Sequence, residues 1–132
     1  MNIPSELRYT RDHEWLRVEG DEGIVGITDY AQGELGDIVF LDLPEVGKQV
    51  VQGKPFGAIE AVKAASDMFA PVSGAITAVN GNLEHQPELI NKSPYGDGWI
   101  VRIKISNKKE VEALLNSADY GKLVESEKGA SH

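Results

Sequence analysis

The sequence predicts a mainly β fold: two packed sheets in a sandwich or flattened barrel, with short helices that include some at the C-terminus. Three observations lead there. Fourteen glycines punctuate short apolar segments, the rhythm of strands joined by tight turns. Several segments alternate with a period of two, most clearly residues 99–105, where Trp99, Val101, Ile103 and Ile105 share a face. After Asn107 the apolar spacing becomes helical, through Val111, Leu114 and Leu115 and then Tyr120, Leu123 and Val124. A chain of 132 residues and 14.3 kDa suits one domain, 1–132, with a polar tail at about 125–132 expected to fray.

The elements follow in order. Tyr9-Thr10 and residues 15–19 read as strands, 20–23 as a turn and 24–27 as the returning strand. Thr28 caps a short helix over 29–35, with Asp29 in the favourable first turn, and Gly36 stops it. Residues 37–43 form a strand with Ile38, Phe40 and Leu43 in one buried set and Val39 and Leu41 on the other face, as for a strand covered on both sides. Pro44-Glu45-Val46-Gly47 is a turn. Val50-Val51 and 56–60 are strands separated by Gly53. Met68-Phe69-Ala70 and 74–80 follow, interrupted by Pro71. Residues 82–93 read as a loop with one helical turn, and 94–98 as a dense turn. Two short helices close the chain, with Ser117 capping the second. Segments 47–63 and 64–80 form a faint mirrored repeat that places Lys63 at their join.

Composition excludes several function classes. Lys and Arg number 13 against 21 Asp and Glu, a net charge of -8, which repels a phosphate backbone and argues against nucleic-acid binding. The same surface favours docking to basic patches on partner proteins. There is no cysteine, so disulfide frameworks, thiolate metal sites and cysteine nucleophiles are out. His13, His85 and His132 stand at no metal-binding spacing, and no metal is expected. No apolar run nears the roughly 20 residues needed to span a bilayer, and the first eleven residues lack a signal core. Gly96-Asp97-Gly98 precedes no helix, so a phosphate-loop reading fails. Trp15 and Trp99 read as core anchors. No nucleophile–base pair is implied, and no enzyme activity is expected.

The informative segment is 57–74. Two apolar strands flank a short stretch of Ala, Val, Lys and Ser, with Lys63 bracketed by Val62 and Ala64. A lysine that must enter another enzyme's active site needs a narrow, protruding turn and an uncluttered amine. Glu60 and Asp67, three residues before it and four after, are carboxylates that a modifying enzyme could read. The ordinary alternative is a plain surface lysine on a hairpin.

This stretch resembles the lipoyl-attachment motif of the glycine cleavage system H-protein family. The resemblance extends along the chain in order: His13-Glu14-Trp15, Gly26-Ile27-Thr28-Asp29-Tyr30-Ala31-Gln32, Leu35-Gly36-Asp37-Ile38-Val39-Phe40, Leu43-Pro44-Glu45-Val46-Gly47, Ala70-Pro71-Val72-Ser73-Gly74, Val79-Asn80, Pro87-Glu88-Leu89-Ile90-Asn91 and Pro94-Tyr95-Gly96-Asp97-Gly98-Trp99. One position departs: the family's Glu-Ser-Val-Lys has Ala61 in place of serine.

The resemblance implies a fold of the lipoyl- and biotinyl-carrier type and a swinging-arm carrier rather than an enzyme. Lipoic acid would be joined by an amide to Lys63. The arm would carry an aminomethyl group from the glycine decarboxylase (P-protein) to the aminomethyltransferase (T-protein) and be reoxidised by dihydrolipoamide dehydrogenase (L-protein). A lipoate ligase or lipoyl/octanoyl transferase would install it. Absence of cysteine fits, since no protein thiol competes in exchange. The loaded arm's ammonium needs an acidic partner, for which Glu14 and Asp67 are the candidates. The expected compartment is the cytoplasm of a bacterium or archaeon, or the mitochondrial matrix had a transit peptide been removed.

Three alternatives remain open. One is a lipoyl relay, or an H-like carrier in another pathway. A second is a biotin carrier, whose lysine is typically flanked by methionines. The third is a Schiff-base enzyme, which requires a buried lysine.

Overall fold

Short β-branched and aromatic segments pair here as antiparallel neighbours. The computed structural model describes residues 2–130. Its first sheet has strand order β1-β2-β3-β9-β8-β5 and its second β4-β6-β7. The strands are β1 (Arg8–Tyr9), β2 (Glu14–Glu19), β3 (Glu22–Ile27), β4 (Ile38–Asp42), β5 (Gln49–Val50), β6 (Pro55–Ala61), β7 (Ala65–Phe69), β8 (Gly74–Val79) and β9 (Val101–Ile105). Helices are α1 (Asp29–Leu35), a 3-10 turn (Gly81–Glu84), α2 (Leu89–Lys92), α3 (Lys109–Glu112) and α4 (Ser117–Ala130).

The two sheets enclose the main core. Leu16 and Val25 from the first sheet meet Ile38, Leu41, Ile59 and Met68 from the second, with Ile76, Val101 and Ile103 beside them. Alternation sends Trp15 and Ile24 to the opposite face, where they pack with Leu7, Tyr9, Tyr120 and Val124. The first sheet is therefore covered on both sides. Tyr9 and Tyr120 stack at 4.5 Å, and Leu115 exchanges backbone hydrogen bonds with Tyr9 at 2.8 and 2.9 Å, so α4 is fastened to the β1 edge. Trp15 is the buried anchor expected, its Nε1–H donating to the Pro94 carbonyl. It requires Gly26, because a Cβ there would lie 2.7 Å from the indole. Trp99 departs from its expected place: it precedes β9 and is half-buried against this outer cluster, so it does not share a face with Val101, Ile103 and Ile105, which lie in the main core.

Four further expectations change. Phe40 is not buried: the register shifts between Ile38 and Phe40, and such a bulge turns two consecutive residues to the same side. Val39 and Phe40 are both exposed, and β4 is covered on one face only. β7 starts at Ala65, three residues earlier than read, because hairpin pairing with β6 overrides its small polar residues. Ser117 is the first residue of α4 rather than its cap; the cap is Asn116, whose Oδ1 accepts from the Asp119 amide. The polar stretch from Glu125 is helical as far as Ala130, while residues 131 and 132, including His132, lie outside the described residues.

Candidate functional site

Lys63 lies on the β6–β7 connection, where the Ala61 amide donates to the Ala64 carbonyl across a tight turn. Val62, Lys63 and Ala64 are all exposed. Among the described residues the Lys63 side chain makes no ion pair and no hydrogen bond. An exposed, unpaired amine is the opposite of what a Schiff-base lysine needs.

The turn is not a free projection. Its inner flank rests on the loop between α1 and β4. The Val62 amide donates to the Asp37 carbonyl (2.9 Å) and the Lys63 amide to the Leu35 carbonyl (3.2 Å). The lysine stem lies over Gly36, where an added Cβ would come within 3.2 Å of Lys63 Cγ and where φ is +79°. Only glycine meets both conditions without strain. Thr28 caps α1 as expected, accepting from the Ala31 amide, and Gly36 ends it.

Asn91 holds this platform together. Its Nδ2 donates to Gln32 Oε1 and to the Gly36 carbonyl, both at 2.9 Å, and its Oδ1 accepts from the Ile38 amide at 2.9 Å. One side chain on α2 thus ties the end of α1 to the start of β4. In the sequence Asn91 and Leu35-Gly36 are landmarks of the resemblance and nothing in it marks them as supports of the lysine. The available signal was an amide residue in a loop, the residue type that satisfies stray backbone groups.

Glu14 is a buried residue, 2% exposed, and not the solvated carboxylate that is usual for its type. His13, just before it, adopts φ +74° and closes a turn back to Thr10, which directs Glu14 inward. Oε1 accepts from the Thr10 hydroxyl at 2.6 Å and Oε2 from the Phe69 amide at 3.2 Å. Burial pushes the carboxyl up to about 8, against the pull of these two hydrogen bonds. At neutral pH it is mostly the uncharged acid.

Asp67 is exposed and sits two residues before Phe69 on β7. Both candidate carboxylates therefore serve the same strand, Glu14 at its end and Asp67 on its outer face. Thr10, which bonds Glu14, and Phe69 line a recess of about 260 Å³ together with Arg11, Asp12, Pro71 and Leu114; neither Glu14 nor Asp67 is in its lining. Glu60 faces outward from β6 across from Ala65, on the same side as Asp67, which pairs with Ala58.

A second polar chain runs behind. His13 Nδ1 meets the Tyr120 hydroxyl (2.8 Å), which meets Thr28 Oγ1 (2.7 Å), while His13 Nε2 meets Glu127 Oε2 (2.9 Å). It joins α4 to the N-terminus of α1, whose other end carries the Lys63 platform. Burial raises the Tyr120 phenol well above its ordinary value, so it stays a neutral donor.

No helix among the described residues is long and apolar enough to cross a membrane. Residues 7–127 match the Glycine cleavage H-protein family. The glycine cleavage system H protein of Rubrobacter xylanophilus is 54% identical over 125 residues, covering 95% of this chain and 97% of that protein. That of Carboxydothermus hydrogenoformans is 51% identical over 125 residues, covering 95% and 96%. The crystal structure of a glycine cleavage system H protein from Mycobacterium marinum superposes with a TM-score of 0.84 at 40% identity, covering 91% of this chain and 97% of that one. With its sheet arrangement and its length both matched, this chain belongs to the glycine cleavage H-protein family, whose members are non-catalytic lipoyl carriers of the glycine cleavage system.

Proposed function

We propose that Lys63 carries lipoic acid as an amide. The chain would then take an aminomethyl group from the glycine decarboxylase (P-protein) to the aminomethyltransferase (T-protein) and be reoxidised by dihydrolipoamide dehydrogenase (L-protein). A lipoate ligase or lipoyl/octanoyl transferase installs the group. The carrying observation is the exposed, unpaired Lys63 amine on a turn whose backbone is pinned to Leu35 and Asp37. The residues fit the group: small neighbours leave the amine open, and Gly36 gives the stem a groove. When bound, lipoate supplies a dithiolane that accepts the aminomethyl group and releases it.

The chain's own residues bind, orient and shield. At ~3.3 Å per residue, Asp67 lies roughly 13 Å along the hairpin from Lys63, a distance that a lipoyl-lysine side chain of roughly 14 Å spans. Asp67 offers a solvated carboxylate to an ammonium, and Glu14 a buried one. An approaching cation favours the ionised form of Glu14, whose proton passes to solvent. Val62, Ala64, Glu60 and Asp67 form the surroundings that the modifying enzyme meets. The bacterial relatives support the cytoplasm of a bacterium as the place of action.

Intact-mass measurement after incubation with lipoate ligase, lipoate and ATP tests this reading. The wild type gains one lipoyl increment and Lys63→Arg gains none. An increment on Lys63→Arg overturns the assignment. For the carboxylates, Glu14→Ala and Asp67→Ala hasten loss of the aminomethyl group from the loaded carrier, and unchanged decay in both removes them from the site.

A further inference from the structure

The bulge in β4 has a consequence at the root of Lys63. Val39 and Phe40 are 54% and 56% exposed, and Val62 is 71% exposed. Phe40 stands opposite Glu60 and Ile38 opposite Ala61 on β6, and the Val62 amide donates to the Asp37 carbonyl, so the bulged Val39 and Phe40 and the exposed Val62 lie along the same β4–β6 seam. The outer face of the second sheet thus carries one row Phe40–Glu60–Ala65 and a parallel row Asp42–Ala58–Asp67. No helix or loop covers Phe40, Glu60, Asp42 or Asp67, all of which are exposed. Three exposed apolar residues along one seam differ from the scattered exposed hydrophobics of an ordinary surface.

The border is of one sign. Asp37, Asp42, Glu60 and Asp67 make no ion pair among the described residues. Lys63 is the only cation in segments 34–42 and 60–67. An apolar centre with an acidic rim calls for a partner with an apolar centre and a basic rim.

Geometry selects among partners. The patch surrounds the root of the lysine, not the far end of an arm attached to it. An enzyme working on the distal end of an extended arm, as the dehydrogenase does on the bare dithiolane, stands roughly 14 Å away. An enzyme that forms a bond to Nζ must bring its active site onto Val62 and Ala64 and cover what adjoins them. We propose that Val39, Phe40 and Val62 form the docking surface for the enzyme that acylates Lys63, with Asp37, Asp42 and Glu60 steering an Arg- and Lys-rimmed active site onto it. This rests on the assignment of Lys63 as the attachment residue. In the step served, the free amine of Lys63 attacks the carboxyl carbon of an acyl adenylate. The N–C bond forms, the C–O bond to phosphate breaks with its electron pair leaving on AMP, and the amine's surplus proton passes to solvent.

The test uses the full unmodified chain, lipoate ligase, lipoate and ATP, with kcat/KM measured for the carrier as substrate. Phe40→Ser and Val62→Ser each lower kcat/KM at least about ten-fold, as for an aromatic or central apolar anchor, with kcat little changed. Asp42→Asn flattens the dependence of kcat/KM on ionic strength. Once loaded to completion, the same variants are reduced by NADH and dihydrolipoamide dehydrogenase at the wild-type rate, which also reports an intact fold. A wild-type kcat/KM for both Phe40→Ser and Val62→Ser overturns the proposal, as does an equal loss with the dehydrogenase. Modification of Lys63→Arg is a different failure: it removes the attachment assignment itself.

Discussion

Replacing Glu14 by glutamine should change how stability depends on pH. The Glu14 carboxyl is raised in the folded protein from 4.5 to about 8, so the folded state holds its proton more tightly than the unfolded chain. Its contribution is fully present below pH 4.5 and is lost as pH rises through 8. The gap of about 3.5 pH units, at 1.36 kcal/mol each, amounts to about 5 kcal/mol between those limits. Between pH 5 and 9 alone it is about 4 kcal/mol. For a chain of this size that is roughly 15 °C in Tm. A glutamine at this position cannot ionise. It also sets its amide N–H₂ against one of two donors, the Thr10 hydroxyl or the Phe69 amide, a penalty of about 1–3 kcal/mol that is the same at every pH. The assay is thermal unfolding of unmodified wild type and Glu14→Gln at pH 5, 7 and 9. Other titrating groups are common to both proteins and drop out of the difference. The variant is the less stable protein at pH 5 and gains on the wild type as pH rises. A difference in Tm that is equal at pH 5 and pH 9 refutes the reasoning.

Three further outcomes follow from the platform. Gly36→Ala places a Cβ against the lysine stem at φ +79°; it destabilises by about 1–3 kcal/mol and slows lipoylation of Lys63, seen by denaturant unfolding and a mass time course. Asn91→Ala strands the Ile38 amide and the Gly36 carbonyl and lowers stability by about 2–4 kcal/mol, with faster hydrogen exchange at Ile38 and Lys63. Tyr120→Phe cuts the chain between His13 and Thr28 for about 1–2 kcal/mol, and exchange at the Ala31 amide rises while the amides of β9 are unaffected.

Much of the fold was legible because it is written in local pattern. Glycine-bounded apolar runs marked most strands, Thr28 and Gly36 marked the ends of α1, and the change of period after Asn107 marked the terminal helices. The exposure of Phe40 is not legible because a bulge leaves no trace in hydrophobicity: the residues alternate while the backbone does not. β7 began early because Ala65, Ser66 and Asp67 have little strand propensity of their own and are held by their partners on β6. Of the site, Lys63 stood out by its small neighbours. Glu14 was named, but its burial was not foreseeable, since it depends on His13 in the left-handed region and on an amide 55 residues away. Asn91 was invisible as a support because its partners come from α1, Gly36 and β4, separated from it by more than 50 residues.

The most direct measurement is a reconstituted assay: carbon dioxide release from glycine by the glycine decarboxylase with this chain as sole acceptor, before and after lipoylation. Release that requires lipoylation and is abolished in Lys63→Arg is the predicted result. Release supported equally by the unmodified chain, or by Lys63→Arg, contradicts the account.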